Sequence, residues 1–248
     1  MTVQWLTAFL DFTAESFDDG TTFWSAATGT TMSERRRENN EFATLLPSNG
    51  DAFLRVQEVV DGPGGIHLDI HVDDMEAAIA TAVAAGATVI AVNDVTVLSS
   101  PGGFTFCIVQ HNIADDDRER VVPSAVEFDG LKSRMSQVCI DIPASLFSAE
   151  CEFWSELTGW ALRPNLSTEF GALLMPEGMA FRLLFQRLGQ DDSGTAVRAH
   201  LDVGAGIDWM IARSCEPHRS AEHVGDGSHW PVFNDPTGAV YCVTQRDP

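Results

Sequence analysis

The chain carries an internal repeat with a period of roughly 130 residues. Phe23-Trp24-Ser25 followed by Thr28-Gly29 returns as Phe153-Trp154-Ser155 followed by Thr158-Gly159. Leu46-Pro47 returns as Met175-Pro176, and Gln57 corresponds to Gln186. Gly65-Ile66-His67-Leu68-Asp69-Ile70 returns as Arg198-Ala199-His200-Leu201-Asp202-Val203. Each copy closes on a strand-like run with a cysteine, Phe106-Cys107-Ile108 and Tyr241-Cys242-Val243. Matches in one order at a nearly constant offset mark a tandem duplication, so whatever one copy folds into, the other must approximate.

The His-Leu-Asp phrase has the period-2 alternation of a half-buried strand. Leu68 and Ile70 point one way; His67, Asp69 and His71 point the other. Its histidines have three readings open to them: lining a ligand cup, a structural hydrogen bond to the neighbouring carboxylate, or metal ligation. Direct contact within the pair is not assured, because i and i+2 on a strand stand about 6.5–7 Å apart at the backbone.

Each copy reads as strand-helix-three-strands performed twice. In copy one, Leu6 to Phe12 is a strand. A helix follows from Glu15 to Ala27, ended by Thr28-Gly29. Strands are expected at Phe42 to Leu46 and Ala52 to Val59. After the His67 strand, Asp73 or Asp74 caps an alanine-rich helix, Met75 to Ala85, stopped by Gly86. Strands near Thr88 to Val92, Val95 to Leu98 and Phe104 to Val109 complete the copy. Copy two repeats the scheme, with helices at Leu146 to Leu157 and near Gly206 to Ser214. Helices on one face of mixed sheets make an α+β fold. The expected domains are 1–112 and 133–248, joined by an acidic linker, 113–132.

Composition removes several function classes. With 15 basic and 36 acidic residues the net charge is −21, which repels phosphate backbones and argues against nucleic acid. There is no run of about 18 apolar residues to span a membrane, and the N-terminus lacks a secretory pattern. The expected compartment is the cytoplasm. Five cysteines, an odd number in mostly apolar surroundings, read as buried free thiols. Neither a Gly-rich phosphate loop nor a nucleophile elbow is present.

Paired strand-helix-three-strand modules, with Phe-Trp near the end of the first helix and Thr-Gly after it, resemble the vicinal-oxygen-chelate superfamily. That group contains glyoxalase I, bleomycin-resistance proteins and extradiol dioxygenases. The phrase Asn234-Asp235-Pro236-Thr237-Gly238 is similar to the hairpin before the last strand of glyoxalase-like domains. In copy one, Ser100-Pro101-Gly102-Gly103 lacks its Asp. The resemblance implies two tandem glyoxalase-like domains, each of two βαβββ modules in a curled mixed sheet.

In that superfamily, metal ligands come from the first and last strands of the modules. Carried over by position, copy one offers Thr7, His67 and Cys107, and copy two offers Gln137, His200 and Cys242. Cysteine stands where the metal enzymes have Glu, and only Glu58 lies on a strand that could supply another carboxylate. The expectation is therefore a small-molecule-binding protein akin to the bleomycin-resistance branch, without an obligatory metal or other cofactor. Its partner would be a small organic, aromatic or heterocyclic molecule. The ligand-lining residues would be His67, Gln137, His200 and Trp230; the aromatic choice rests on Trp5, Trp160, Trp209 and Trp230 having no counterpart in the other copy. Two alternatives stand beside it: a metal-dependent lyase or dioxygenase of the same superfamily, and a non-catalytic interaction protein. The scattered His218, His223 and His229 read as a polar loop.

Overall fold

The computed structural model describes residues 1–111, 120–128, 131–164, 167–189, 196–205, 222–226 and 230–244. The expected helix near Gly206 to Ser214, Trp209, Cys215, His218 and His229 lie outside the described residues.

Copy one forms β1 (Val3–Thr13), α1 (Phe17–Thr28), β2 (Thr31–Met32), β3 (Phe42–Leu46) and β4 (Leu54–Val59). Then come β5 (Gly65–Val72), α2 (Met75–Ala84), β6 (Thr88–Val92), β7 (Thr96–Ser99) and β8 (Thr105–Gln110). The sheet order is β2-β3-β4-β1-β5-β8-β7-β6. Copy two forms β9 (Val126–Phe128), β10 (Leu131–Ile142), α3 (Phe147–Thr158), β11 (Phe170–Ala172) and β12 (Arg182–Arg187). It ends with β13 (Arg198–Ala205), β14 (Glu222–Asp226), β15 (Pro231–Asn234) and β16 (Val240–Thr244). Its sheet order is β11-β12-β10-β13-β16-β15-β14, with β9 on β10. These are two open mixed sheets with helices, the α+β class that the alternation and the repeat imply.

The local causes are ordinary. Helix α1 ends at Gly29 in the left-handed conformation, and α3 ends the same way at Gly159. Asp74 caps α2, its side chain accepting from the Ala77 N–H. Part of the acidic stretch read as a linker is built in. Strand β9 pairs with β10. The Val121 N–H donates to Asp51 Oδ2 at 2.7 Å, and the Ser124 N–H to Asn49 Oδ1 at 2.8 Å. The weak periodicity of that stretch hid a segment held by polar side chains of a turn rather than by an apolar face.

Contact density divides the chain into two compact units, and each mixes segments of both copies. One unit comprises Met1–Ala8, Ile66–Arg120 and Cys139–Ala199. In it the copy-two helix α3 packs on the copy-one strand β8. The Phe106 ring lies 5.7 Å from Phe153 and 5.4 Å from Trp154. The other unit comprises Phe9–Gly65, Val121–Val138 and His200–Pro248. There α1 packs on β16, with Tyr241 5.6 Å from Phe23 and 5.5 Å from Trp24. The repeated Phe-Trp pair is therefore core in both units.

Each such packing ends in a buried carboxylate that ties a helix to a hairpin. In the second unit, Asp235 accepts from the Trp24 indole N–H at 2.9 Å and from the Thr237 and Ala239 amides at 2.8 and 3.1 Å. In the first unit the hairpin has Ser100 instead. Its carboxylate comes from the helix, where Glu150 accepts from the Ser100 hydroxyl and from the Gly102 N–H at 2.6 Å. The repeat places Gly20 at the Glu150 position of α1, where a Cβ would meet the Phe12 ring at 2.5 Å. The missing hairpin Asp of copy one is thus replaced from the other chain segment.

Two measurements follow from these ties. Burial is the largest influence on the Glu150 carboxyl and raises it above its ordinary 4.5, against the hydrogen bonds of Ser100 and Gly102. The folded state then holds this proton more tightly than the unfolded chain. Its stabilising contribution is full below the unfolded value and is lost as pH rises through the folded one. The urea midpoint of the wild type relative to Glu150→Gln should fall as pH rises above 4.5; a constant difference would contradict the assignment. Trp24→Phe should cost about 1–3 kcal/mol in urea unfolding by leaving Asp235 Oδ2 without its donor.

Candidate functional site

The candidate residues sit where two parallel strand pairs place them. β13 runs parallel to β16 with Asp202 opposite Cys242, and β5 runs parallel to β8 with Asp69 opposite Cys107. On a strand, His200 shares a face with Asp202, and His67 with Asp69. The opposite face holds Leu201 and Val203, or Leu68 and Ile70, all fully buried. One apolar face thus fixes the register, and the other face collects imidazole, carboxylate and thiol at one spot.

The result is the same cluster in each unit. His200, Asp202 and Cys242 each offer a ligand atom within 4.8 Å of the others, and so do His67, Asp69 and Cys107. All six side chains are buried. His200 Nε2 lies 3.3 Å from Asp202 Oδ1, and His67 Nε2 lies 3.9 Å from Asp69 Oδ1. The side chains lean toward each other across the i, i+2 gap.

The surroundings differ. Gln137 on β10 is buried and donates its Nε2 to Asp202 Oδ2 at 2.6 Å. The other oxygen, Asp202 Oδ1, is buried and accepts no hydrogen bond. In the other unit the Gln137 position is Thr7, whose hydroxyl meets His71 Nε2 at 3.0 Å. Of the four residues singled out from the sequence, Gln137 and His200 therefore meet, through Asp202. His67 heads the equivalent cluster in its own unit. Trp230 is half-buried just before β15. Trp5 and Trp160 are buried, 3% and 9% exposed. Glu58 is paired with Arg35 at 2.6 Å, both side chains about a third exposed (33% and 29%).

Asp69 and Asp202 are buried carboxylates beside the histidines that positional carry-over did not name. They stand two residues along the His strand rather than on the closing strand. The signal was present in the repeated His-Leu-Asp phrase, once the parallel register that brings Cys opposite Asp is known. Cys107, Cys139, Cys151 and Cys242 form no disulfide and are buried. Burial, then the Glu150 and Glu152 charges, pushes the Cys151 thiol up to about 12, so it is no nucleophile. A groove lies elsewhere in the second unit, lined by Thr30, Leu45, Pro47, Phe53 and Arg134 among others, and includes none of the cluster residues.

A donor set of imidazole nitrogen, carboxylate oxygen and thiolate sulfur is of the kind that holds a zinc-type divalent ion through three protein ligands. The buried Asp202 Oδ1, which accepts no hydrogen bond and lies 3.3 Å from His200 Nε2, is the observation that supports such an ion in copy two, and Gln137 holds the carboxylate from behind. Gln137→Ala should destabilise the protein by about 1–3 kcal/mol in urea unfolding, because it removes the donor to a buried carboxylate.

Comparison with known proteins came down on the same architecture. A family model described as a glyoxalase-like domain matches residues 7–109 and again 137–244. Among solved structures, the Mn(II)-bound glyoxalase from Novosphingobium aromaticivorans is 13% identical, with a TM-score of 0.62 over 98% of this chain and 81% of that one. The 2,2',3-trihydroxybiphenyl 1,2-dioxygenase from dibenzofuran-degrading Sphingomonas wittichii strain RW1 is 12% identical, with a TM-score of 0.64 over 98% and 90%. A catechol 2,3-dioxygenase is 13% identical, with a TM-score of 0.61 over 98% and 88%. At these identities the likeness is one of fold. The search of curated proteins found no match.

Proposed function

The chain belongs to the glyoxalase-like family, and from that premise we propose that it is a metal-dependent enzyme acting on a small oxygen-bearing organic compound. His200, Asp202 and Cys242 would hold the ion, and Gln137 would orient Asp202. The observation that carries this reading is the buried Asp202 Oδ1, without a hydrogen bond, beside an imidazole and a thiol. It replaces the metal-free binder expected from the sequence, which rested on having no carboxylate within reach.

The donor chemistry also chooses between reaction classes. Thiolate favours zinc over harder ions, and zinc has no redox chemistry. A Lewis-acid reaction of the lyase or isomerase type is therefore preferred to ring cleavage with oxygen. The bound ion would polarise a substrate oxygen. The protein's part would be to exclude water and balance charge: Asp202 and the Cys242 sulfur, bound as thiolate, would offset a divalent ion, and Gln137 would fix the carboxylate rotamer. The neighbours named for catechol and trihydroxybiphenyl substrates support a small organic substrate with adjacent oxygens.

A second reading, ligand binding without metal, is favoured by one observation. Gln137, Asp202 and His200 already form a contiguous polar chain in the interior. Metal analysis of the purified protein separates the two. The expected result is a tightly held divalent ion whose loss in His200→Ala abolishes turnover of dicarbonyl or diol test compounds. Gln137→Ala should weaken metal binding about 10–100-fold. A metal-free chain that is stabilised by organic ligands and unaffected by chelators would favour the second reading.

A further inference from the structure

We propose that the groove beside the C-terminus of α1 is a binding site for a small organic monocarboxylate, with Arg134 as the group that takes the carboxylate. The groove lies within the unit comprising Phe9–Gly65, Val121–Val138 and His200–Pro248 and shares no residue with the His200 cluster. The site stands apart from the metal reading and does not rest on it.

Arg134 carries the argument. It lies on β10, is half-buried and forms part of the groove wall. Its Nε is buried and makes no hydrogen bond. Water serves the donors of an exposed arginine, but a buried N–H of a charged group without an acceptor forfeits a strong hydrogen bond. The nearby carbonyls of α1 are already engaged. Those of Ser25 and Ala26 accept from the Thr30 and Gly29 N–H groups, and that of Trp24 accepts from the Thr28 hydroxyl. The negative end of the helix dipole lies at the same groove and favours a charged guanidinium there without supplying an acceptor to Nε.

The groove is held in shape before any ligand arrives. Gly50 and Gly29 adopt left-handed φ angles of 72° and 61°. A Cβ at either would strike the segment that closes the groove, meeting Pro123 at 2.8 Å and Val126 at 2.7 Å. Asp51 pins that segment from both sides of one residue: its N–H donates to the Val121 carbonyl, and its Oδ2 accepts from the Val121 N–H, each at 2.7 Å. A site fixed in this way loses little freedom on binding.

The wall chemistry selects the ligand. A carboxylate is planar and takes two parallel N–H donors from the guanidinium fork, Nε among them. Leu45 and Phe53, both buried, give the groove an apolar side, and Thr30 and Ser48 add hydroxyls. A carboxylate on a short chain or ring uses both sides. Inorganic phosphate uses only the polar one, and an amine is repelled by Arg134. The net charge of −21 repels anions at long range, so recognition has to be local.

Isothermal titration of the full chain, as purified, with benzoate and hexanoate tests the site. Each should bind at one equivalent, with benzamide and inorganic phosphate at least tenfold weaker. Arg134→Met should weaken benzoate roughly 10–100-fold. Arg134→Lys keeps the charge, loses the fork and should fall between. Ser124 is an exposed lining residue, and Ser124→Trp should block the groove with Arg134 in place, which keeps the test decisive if the arginine variants fail to fold. His200→Ala should leave benzoate binding unchanged. Benzoate binding that survives both Arg134→Met and Ser124→Trp, or that is lost in a folded His200→Ala, overturns the site. So does phosphate binding as tight as that of benzoate, or no binding of either carboxylate at millimolar concentration.

Discussion

Parallel pairing between a His-x-Asp strand and a Cys strand is the constraint on which the rest depends. Because side chains alternate along a strand, a single register decides two things at once. It sets Leu201 and Val203 into an apolar interior, and it sets His200 and Asp202 beside Cys242. A slip of one residue along β13 would exchange its faces, turning His200 and Asp202 away from Cys242 and Leu201 out of the apolar side. The packing energy of the apolar side therefore enforces the geometry of the polar side.

A second set of buried carboxylates shapes the molecule around those strands. Asp235 and Glu150 play one role from opposite partners, the first from a hairpin onto a helix tryptophan, the second from a helix onto a hairpin. Each tie lies inside a compact unit that combines segments of both copies. The duplication is in this sense more than two beads on a string: within each unit, part of one copy completes the core of the other. Divergence in one copy can then be offset in the other, as Glu150 offsets the hairpin residue that became Ser100.

Much of this was legible in the residues. The repeat, the strand alternation of the His-Leu-Asp phrase, the Gly stops of α1 and α3 and the Asp cap of α2 are local signals, and local signals survive reading one residue at a time. What was not legible depends on pairings far apart in sequence. Nothing local says that Asp202 faces Cys242, that Gln137 reaches Asp202, or that Glu150 answers for Ser100. Asp69 and Asp202 read as partners of the histidines, and their closeness to Cys107 and Cys242 was not legible, because the position carried over from the superfamily was the closing strand. Strand β9 was missed because three residues, Val126–Phe128, are too short to show an alternation, and its support is the pairing with β10.

The central claim is that imidazole, carboxylate and thiolate together make a metal centre in this glyoxalase-like chain. X-ray absorption at the zinc edge of the reconstituted protein tests it most directly, since it reads the ligand atoms themselves. The account predicts a sulfur scatterer at about 2.3 Å beside nitrogen and oxygen scatterers at about 2.0–2.2 Å, with the sulfur lost in Cys242→Ser. A shell of nitrogen and oxygen alone, unchanged by that variant, would contradict it.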